Sequence, residues 1–156
     1  MSAGTSLDRE TRLAWLLDHQ KRPRHRGRLP APDVSVAGGN PECGDVVTVD
    51  LRIEADGERI AEVGFEAQGC TLSQAAASIV AERVSRDHPT VREVEEMPYE
   101  DLLDLIGRDI AMHRPKCATL ALGVVKAAVR RLSMDRQLKA AGYSPEQIES
   151  MRSAAG

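Results

Sequence analysis

A chain of 156 residues is the size of one ordinary domain and is long enough to bury a core without disulfide support. Its formal net charge of −3, with 29% charged and 3% aromatic residues, excludes a wholly disordered chain and a broad nucleic-acid or anionic-membrane surface, and leaves the core to Leu, Val, Ile and Ala. Three cysteines cannot all pair within one chain, so free thiols in a reducing compartment, the cytoplasm, are expected.

Met1 to Gln20 shows neither a continuous apolar run nor a small-residue cleavage site, and nothing approaches the roughly 18 apolar residues of a membrane span. Thr5 and Asp8 stand at capping-box spacing ahead of Leu13, Leu16 and Leu17, with Trp15 beside them, which predicts a helix from about Ser6 to Gln20. Lys21 to Arg28 carries five cations and no aromatic on which a base could stack. It reads as a solvated connector or a docking strip for an acidic protein. Val34 to Val36, after Pro30 and Pro32, suits a short edge strand.

Val47, Val49, Leu51 and Ile53 alternate with Thr48, Asp50, Arg52 and Glu54, the pattern of a half-buried strand. Ala61, Val63, Phe65 and Ala67 repeat the same parity, and Asp56-Gly57 between the two runs is a turn signal. A three-residue loop, Ala55 to Gly57 with Gly57 left-handed, satisfies the parity and predicts the pairs Ile53–Arg59, Val49–Val63 and Asp45–Ala67. If the strand continues back through Gly44, Cys43 and Asp45 share one face at the open end of the hairpin, beside Gly69-Cys70.

After Cys70 the period becomes helical through Leu72, Ala76, Ile79, Val80 and Val84, until Asp87-His88-Pro89 breaks it. Thr90 to Glu96 and Pro98 to Ile106 suit two short helices, the second begun by a first-turn proline and stopped at Gly107. Pro115 opens a long helix with an apolar stripe at Leu120, Ala121, Val124, Val125 and Ala128, and Cys117 lies in its first turn. Ser144 to Gln147 caps one more short helix.

Cys43, Asp45, Cys70 and Cys117 are the candidate ligands of one metal or cluster site, since thiolate suits both zinc and iron and a carboxylate adds a more exchangeable oxygen. Cys70 and Cys117 both stand at predicted helix N-termini, where the dipole favours thiolate near neutral pH. Arg114 and Lys116 add cations that would stabilise a thiolate or a bound persulfide. Taken singly, each cysteine also suits a small buried apolar residue, Asp45 a strand end, and Arg114 and Lys116 solvated charges. Among the histidines, His19, His25 and His88 read as surface residues, and only His113 is close enough to Cys117 in sequence to be considered a ligand.

Gly39-Asn40-Pro41-Glu42-Cys43-Gly44-Asp45, Gly69-Cys70-Thr71-Leu72-Ser73-Gln74-Ala75 and Arg114-Pro115-Lys116-Cys117-Ala118-Thr119-Leu120 resemble the three signature segments of the U-type iron–sulfur cluster scaffolds. These are the Isc-type and Suf-type U proteins and the N-terminal part of NifU. Asp18-His19 with Pro23-Arg24 and Gly27 resembles the same family's N-terminal pattern. The likeness spans residues 13–131 and leaves 132–156 as an added helical tail without the cysteine pair of a NifU-type C-terminal domain.

The resemblance implies an α+β domain, with a three-stranded antiparallel sheet packed against several helices and the site at the sheet end. It implies that Cys43, Asp45, Cys70 and Cys117 receive sulfur from a pyridoxal-phosphate cysteine desulfurase and hold a [2Fe-2S] cluster or Zn2+. The cluster would then pass to apo-proteins; nucleic acid and membrane are not implied partners. One cysteine, Cys43 or Cys117, is the candidate acceptor of the persulfide sulfur. Lys116, where Isc-type proteins have histidine, resembles the Suf-type pattern, whose members act as zinc-dependent sulfur acceptors. The long insertion of Suf-type proteins is nevertheless absent, since only 46 residues separate Cys70 from Cys117.

Overall fold

In the computed structural model, which describes residues 8–155, helix α1 (Arg9–Lys21) starts where Asp8 Oδ1 accepts the Thr11 amide at 2.7 Å. Asp8 is thus the cap itself; Thr5 and Ser6 lie outside the described residues. The helix buries Leu16 and His19, whereas Leu13 and Leu17 are exposed. His19, expected at the surface, is only 1% exposed, with Nδ1 2.7 Å from Ser78 Oγ and its ring edge-on to Trp15. Burial, then repulsion from Arg24, lowers its pKa against the pull of Glu82 and Asp18.

Strands β1 (Val34–Asn40), β2 (Asp45–Ile53) and β3 (Ile60–Gln68) form an antiparallel sheet in the order β1-β2-β3. The edge strand β1 is longer than the sequence suggested, since Gly38 and Gly39 continue the ladder opposite Val47 and Val46. The β2–β3 parity holds from Val47 to Leu51 and is lost at Ile53, and the register differs from the expected one. Val49 faces Phe65 and Val47 faces Ala67, and a bulge between Arg52 and Ile53 brings Ile53 opposite Ile60. The physical reason lies in the loop. Asp56 Oδ1 accepts both the Glu58 and Arg59 amides, at 2.8 and 3.1 Å, so neither amide is left for the hairpin ladder, while Arg59 O accepts the Glu54 amide at 2.8 Å. Glu58 and Ile60 instead exchange backbone hydrogen bonds with Val91 and Pro89.

The connector is likewise more than a solvated basic strip. Arg22 and Arg24 reach Asp18, Arg26 pairs with Glu66, and Arg28 grips the buried Asp50 at 2.7 and 3.2 Å. Gly27 N donates to Phe65 O and Phe65 N to His25 O, so the segment lies along the outer edge of β3.

Six further helices follow: α2 (Thr71–Asp87), α3 (Val91–Glu96), α4 (Tyr99–Ile106), α5 (Arg108–Ala111), α6 (Pro115–Ala140) and α7 (Pro145–Ala155). Helix α5 was not foreseen, and Pro98 is the N-cap of α4 rather than a first-turn residue. A capping box at Thr90 and Glu93 starts α3, and Ser144 and Gln147 bond reciprocally at the start of α7. The sheet's buried face, including Val47, Val49, Leu51 and Phe65, packs on α2 and α6, whose alanines permit close approach. Burying side chains such as Leu51, Ile60 and Leu122 contributes about 1.5–3 kcal/mol each. The core thereby fixes the end of β2 against the starts of α2 and α6. No helix among the described residues is long and apolar enough to cross a membrane.

Candidate metal centre

A four-residue turn, Pro41 to Gly44, joins the paired residues Asn40 and Asp45. Asn40 O accepts the Cys43 and Gly44 amides at 3.1 and 2.9 Å, and Gly44 supplies the left-handed backbone, with φ +71°, that lets the chain turn into β2. Cys43 is therefore an exposed turn residue rather than a strand residue, because the strand ends at Asp45. Its thiol still arrives beside Asp45, by the turn and not by strand parity.

Asp45 is 1% exposed and opens β2. Its Oδ1 accepts the Cys70 backbone amide at 2.9 Å, and its Oδ2 lies 2.8 Å from Cys117 Sγ and 3.8 Å from Cys70 Sγ. Burial pushes this carboxyl's pKa up, but the bonds from Cys117 and Cys70, with the charge of Arg114, outweigh it and leave the pKa lowered. Gly69 makes the approach possible: with φ +136°, any Cβ there would fall 1.9 Å from Asp45 Oδ1.

Cys70 is the N-cap of α2, and its Sγ accepts the Ser73 amide at 3.4 Å. Burial raises its pKa, yet the Ser73 bonds and Cys117 prevail, so the thiol is net acidified as its helix-start position suggests. Cys117 behaves oppositely. It is 1% exposed, and burial, Asp45 and the neighbouring thiols drive its pKa far above the usual thiol value, against the sequence expectation of a ready thiolate. Burial beside a carboxylate overrides the dipole at the start of α6.

Arg114, the residue before α6, faces the thiols: attraction to Cys70 first, then to Cys43 and Cys117, raises its pKa. Lys116 does not; its Nζ pairs with Glu42 at 2.9 Å on the surface. The ligand atoms of Cys43, Asp45 and Cys117 lie within 4.8 Å of one another, and Cys70 Sγ flanks Asp45; His113 is exposed and is not part of this group. Four-coordinate zinc, with Zn–S bonds of about 2.3 Å, sets thiolate sulfurs roughly 3.8 Å apart, so the three clustered donors, with Cys70 Sγ beside Asp45, fit such an ion or an iron–sulfur cargo.

Sequence reasoning assigned no role to Gly69, Ser73 or Asn40. The signals were faint: glycine before a ligand, serine three residues after a capping cysteine, and asparagine before the Pro41 turn.

The NifU-like N-terminal domain model matches residues 14–139. The chain belongs to this family. Among its relatives, the iron–sulfur cluster assembly scaffold protein IscU of Thermotoga maritima is 33% identical over 132 residues, covering 76% of this chain and 92% of the relative. The zinc-dependent sulfurtransferase SufU of Bacillus subtilis is 29% identical over 147 residues, covering 84% and 97% respectively. The crystal structure of a NifU-like N-terminal protein from Brucella abortus superposes with a TM-score of 0.64, covering 77% of this chain and 92% of that one at 22% identity. The three-stranded antiparallel sheet with its surrounding helices is thus the fold of this family.

Proposed function

We propose that this NifU-like chain is a cytoplasmic scaffold on which desulfurase-derived sulfur and iron are combined into a [2Fe-2S] cluster, which then passes to apo-proteins. The observation that carries this reading is the convergence of exposed Cys43 with buried Asp45 and Cys117, flanked by Cys70. In this reading the whole chain acts as one scaffold domain, with residues 132–156 as its tail.

Contrasting exposure orders the sulfur step. The Cys43 thiolate attacks the outer sulfur of the desulfurase's cysteine persulfide. A new S–S bond forms at Cys43, the donor's S–S bond breaks, and the electron pair leaves on the desulfurase thiolate. Arg114 offsets the negative charge of the resulting persulfide, whereas Cys117 is too buried to meet a partner and serves as an inner ligand. Turning the accepted sulfur into sulfide takes electrons from an external reductant. Asp45 contributes an oxygen ligand that exchanges more readily than a fourth thiolate, which suits release of the finished cluster.

Anaerobic incubation with ferrous iron, cysteine, a thiol reductant and a pyridoxal-phosphate desulfurase tests the proposal. A cluster chromophore is expected, lost in Cys43→Ser, Cys70→Ser and Cys117→Ser, and longer-lived in Asp45→Ala. A zinc-dependent sulfurtransferase is the second reading, favoured by Lys116 rather than an imidazole before Cys117 and by the likeness to the Bacillus protein. Zinc held at the same site would supply Lewis acidity that keeps its thiols deprotonated. Zinc retained through purification, stimulated desulfurase turnover and no chromophore would replace the scaffold with this second reading.

A further inference from the structure

Asn40 touches both halves of the centre. It is 7% exposed, ends β1, and faces Asp45 across the ladder. Its side-chain Oδ1 accepts the Glu42 amide at 3.3 Å, and its Nδ2 lies 3.8 Å from Cys117 Sγ. The amide orientation is fixed by chemistry, because the Glu42 N–H requires the oxygen and so turns the NH2 group toward the sulfur. Cys117 Sγ is thereby held between a carboxylate oxygen at 2.8 Å and an amide donor at 3.8 Å.

These two partners differ in what they do when a metal arrives. The contact with Asp45 is a thiol-to-carboxylate hydrogen bond, and a metal-bound sulfur has no proton to donate. The N–H···S contact from Asn40 needs only a lone pair on sulfur, so it persists when Cys117 becomes a ligand. Through its other oxygen contact and its backbone carbonyl, the same residue shapes the turn that presents Cys43. Resting on the site reading above, we propose that Asn40 is a positioning residue of the centre, whose side-chain amide orients metal-bound Cys117 while its oxygen holds the Cys43 turn in register with it. A neutral donor is suited to this place, since a carboxylate would repel the thiolate and compete as a ligand. Outer partners of this kind typically change metal affinity by about 10–100-fold.

The test uses the full-length protein loaded with Co2+ or Zn2+ and two substitutions. In Asn40→Ser the hydroxyl can still take the Glu42 amide but is too short to reach Cys117; in Asn40→Asp the Glu42 contact is kept and the donor becomes an anion. With the donor lost, the sulfur is more electron-rich, so the thiolate-to-cobalt charge-transfer bands of the serine variant are expected to move to longer wavelength. Zinc affinity, read by competition with a chromophoric chelator, should fall about tenfold, and further in the aspartate variant. The metal-free serine variant should unfold at nearly the wild-type midpoint. Wild-type cobalt bands and zinc affinity in both variants would overturn the role of Asn40 while leaving the centre intact. In the serine variant, an affinity loss matched by an equal loss of metal-free stability would make Asn40 a loop residue only and also overturn it. A wild-type protein with no thiolate-to-cobalt band at all would instead overturn the site reading and this proposal together.

Discussion

Replacing Gly69 by alanine should damage the centre without touching a ligand. The added Cβ would stand 1.9 Å from Asp45 Oδ1, 2.7 Å from its Cγ and 2.9 Å from its Cα, distances that real contacts do not sustain. Either the carboxylate turns away, giving up the Cys70 amide at 2.9 Å, or the start of β2 moves. Losing a hydrogen bond to a charged group costs about 1.5–3 kcal/mol, and an alanine held at φ +136° adds roughly 1–3 kcal/mol of backbone strain. The expected loss is about 3–5 kcal/mol, read as a lower urea midpoint at an unchanged slope. Zinc affinity should fall with it, because Asp45 loses its aim. Gly44→Ala is the control: φ is +71°, but a Cβ there meets nothing within 4 Å, so only about 1–2 kcal/mol of strain is expected. If Gly69→Ala is no more costly than Gly44→Ala, close approach to Asp45 is not what shapes this site.

Timed alkylation of the metal-free protein with iodoacetamide, followed by peptide mass spectrometry, should modify Cys43 or Cys70 well before Cys117, on the order of 100-fold slower for the last because it is buried and held protonated. Equal rates would contradict the assigned inner position of Cys117. Arg114→Ala should slow persulfide transfer from a desulfurase several-fold, whereas Lys116→Ala should leave the rate near wild type, since that ammonium is engaged with Glu42; the reverse ranking would refute the assignment. Asp50 offers a pH test. Its burial raises the pKa, but Arg28, Ser35 and the Leu29 amide prevail and lower it below the usual 3.8. The stabilisation is therefore full above pH 3.8 and is lost as pH falls through the lower folded value. Asp50→Asn should flatten that part of the acid-unfolding profile, and an unchanged slope would count against the pair.

Local pattern and tertiary partnership were unequally legible in the chain. Strand parity over Val47 to Leu51, the Gly107 stop and the helix start at Cys70 are written within a few residues of where they act, and each is found in place. The α1 face was misjudged because the leucines suggested one stripe, while the partner that buries His19 is Ser78, 59 residues away. The β2–β3 register was misjudged for the same kind of reason: the Asp56 turn yields Glu58 and Ile60 to the Pro89–Val91 segment, which nothing within the hairpin announces. Cysteine acidity followed the helix starts for Cys70 but not for Cys117, since burial beside Asp45 is a property of the assembled site. The candidate ligands themselves were visible because cysteines are few and their flanking residues distinctive.

The register difference bears directly on the centre. Had Val49 faced Val63, Asp45 would have stood opposite Ala67. With a strand rise of about 3.3 Å per residue, the Cys70 amide would then lie roughly two residues farther along β3. In the observed ladder Val47 takes the place opposite Ala67 and Val46 pairs with Gln68, so Asp45 comes level with Gly69 and Cys70. Only then can one carboxylate bond the start of α2 through Oδ1 and face the first turn of α6 through Oδ2. The loop at the far end of the hairpin thus decides which residue meets Asp45. Gly69, lacking a side chain at that level, is what lets the carboxylate occupy the place.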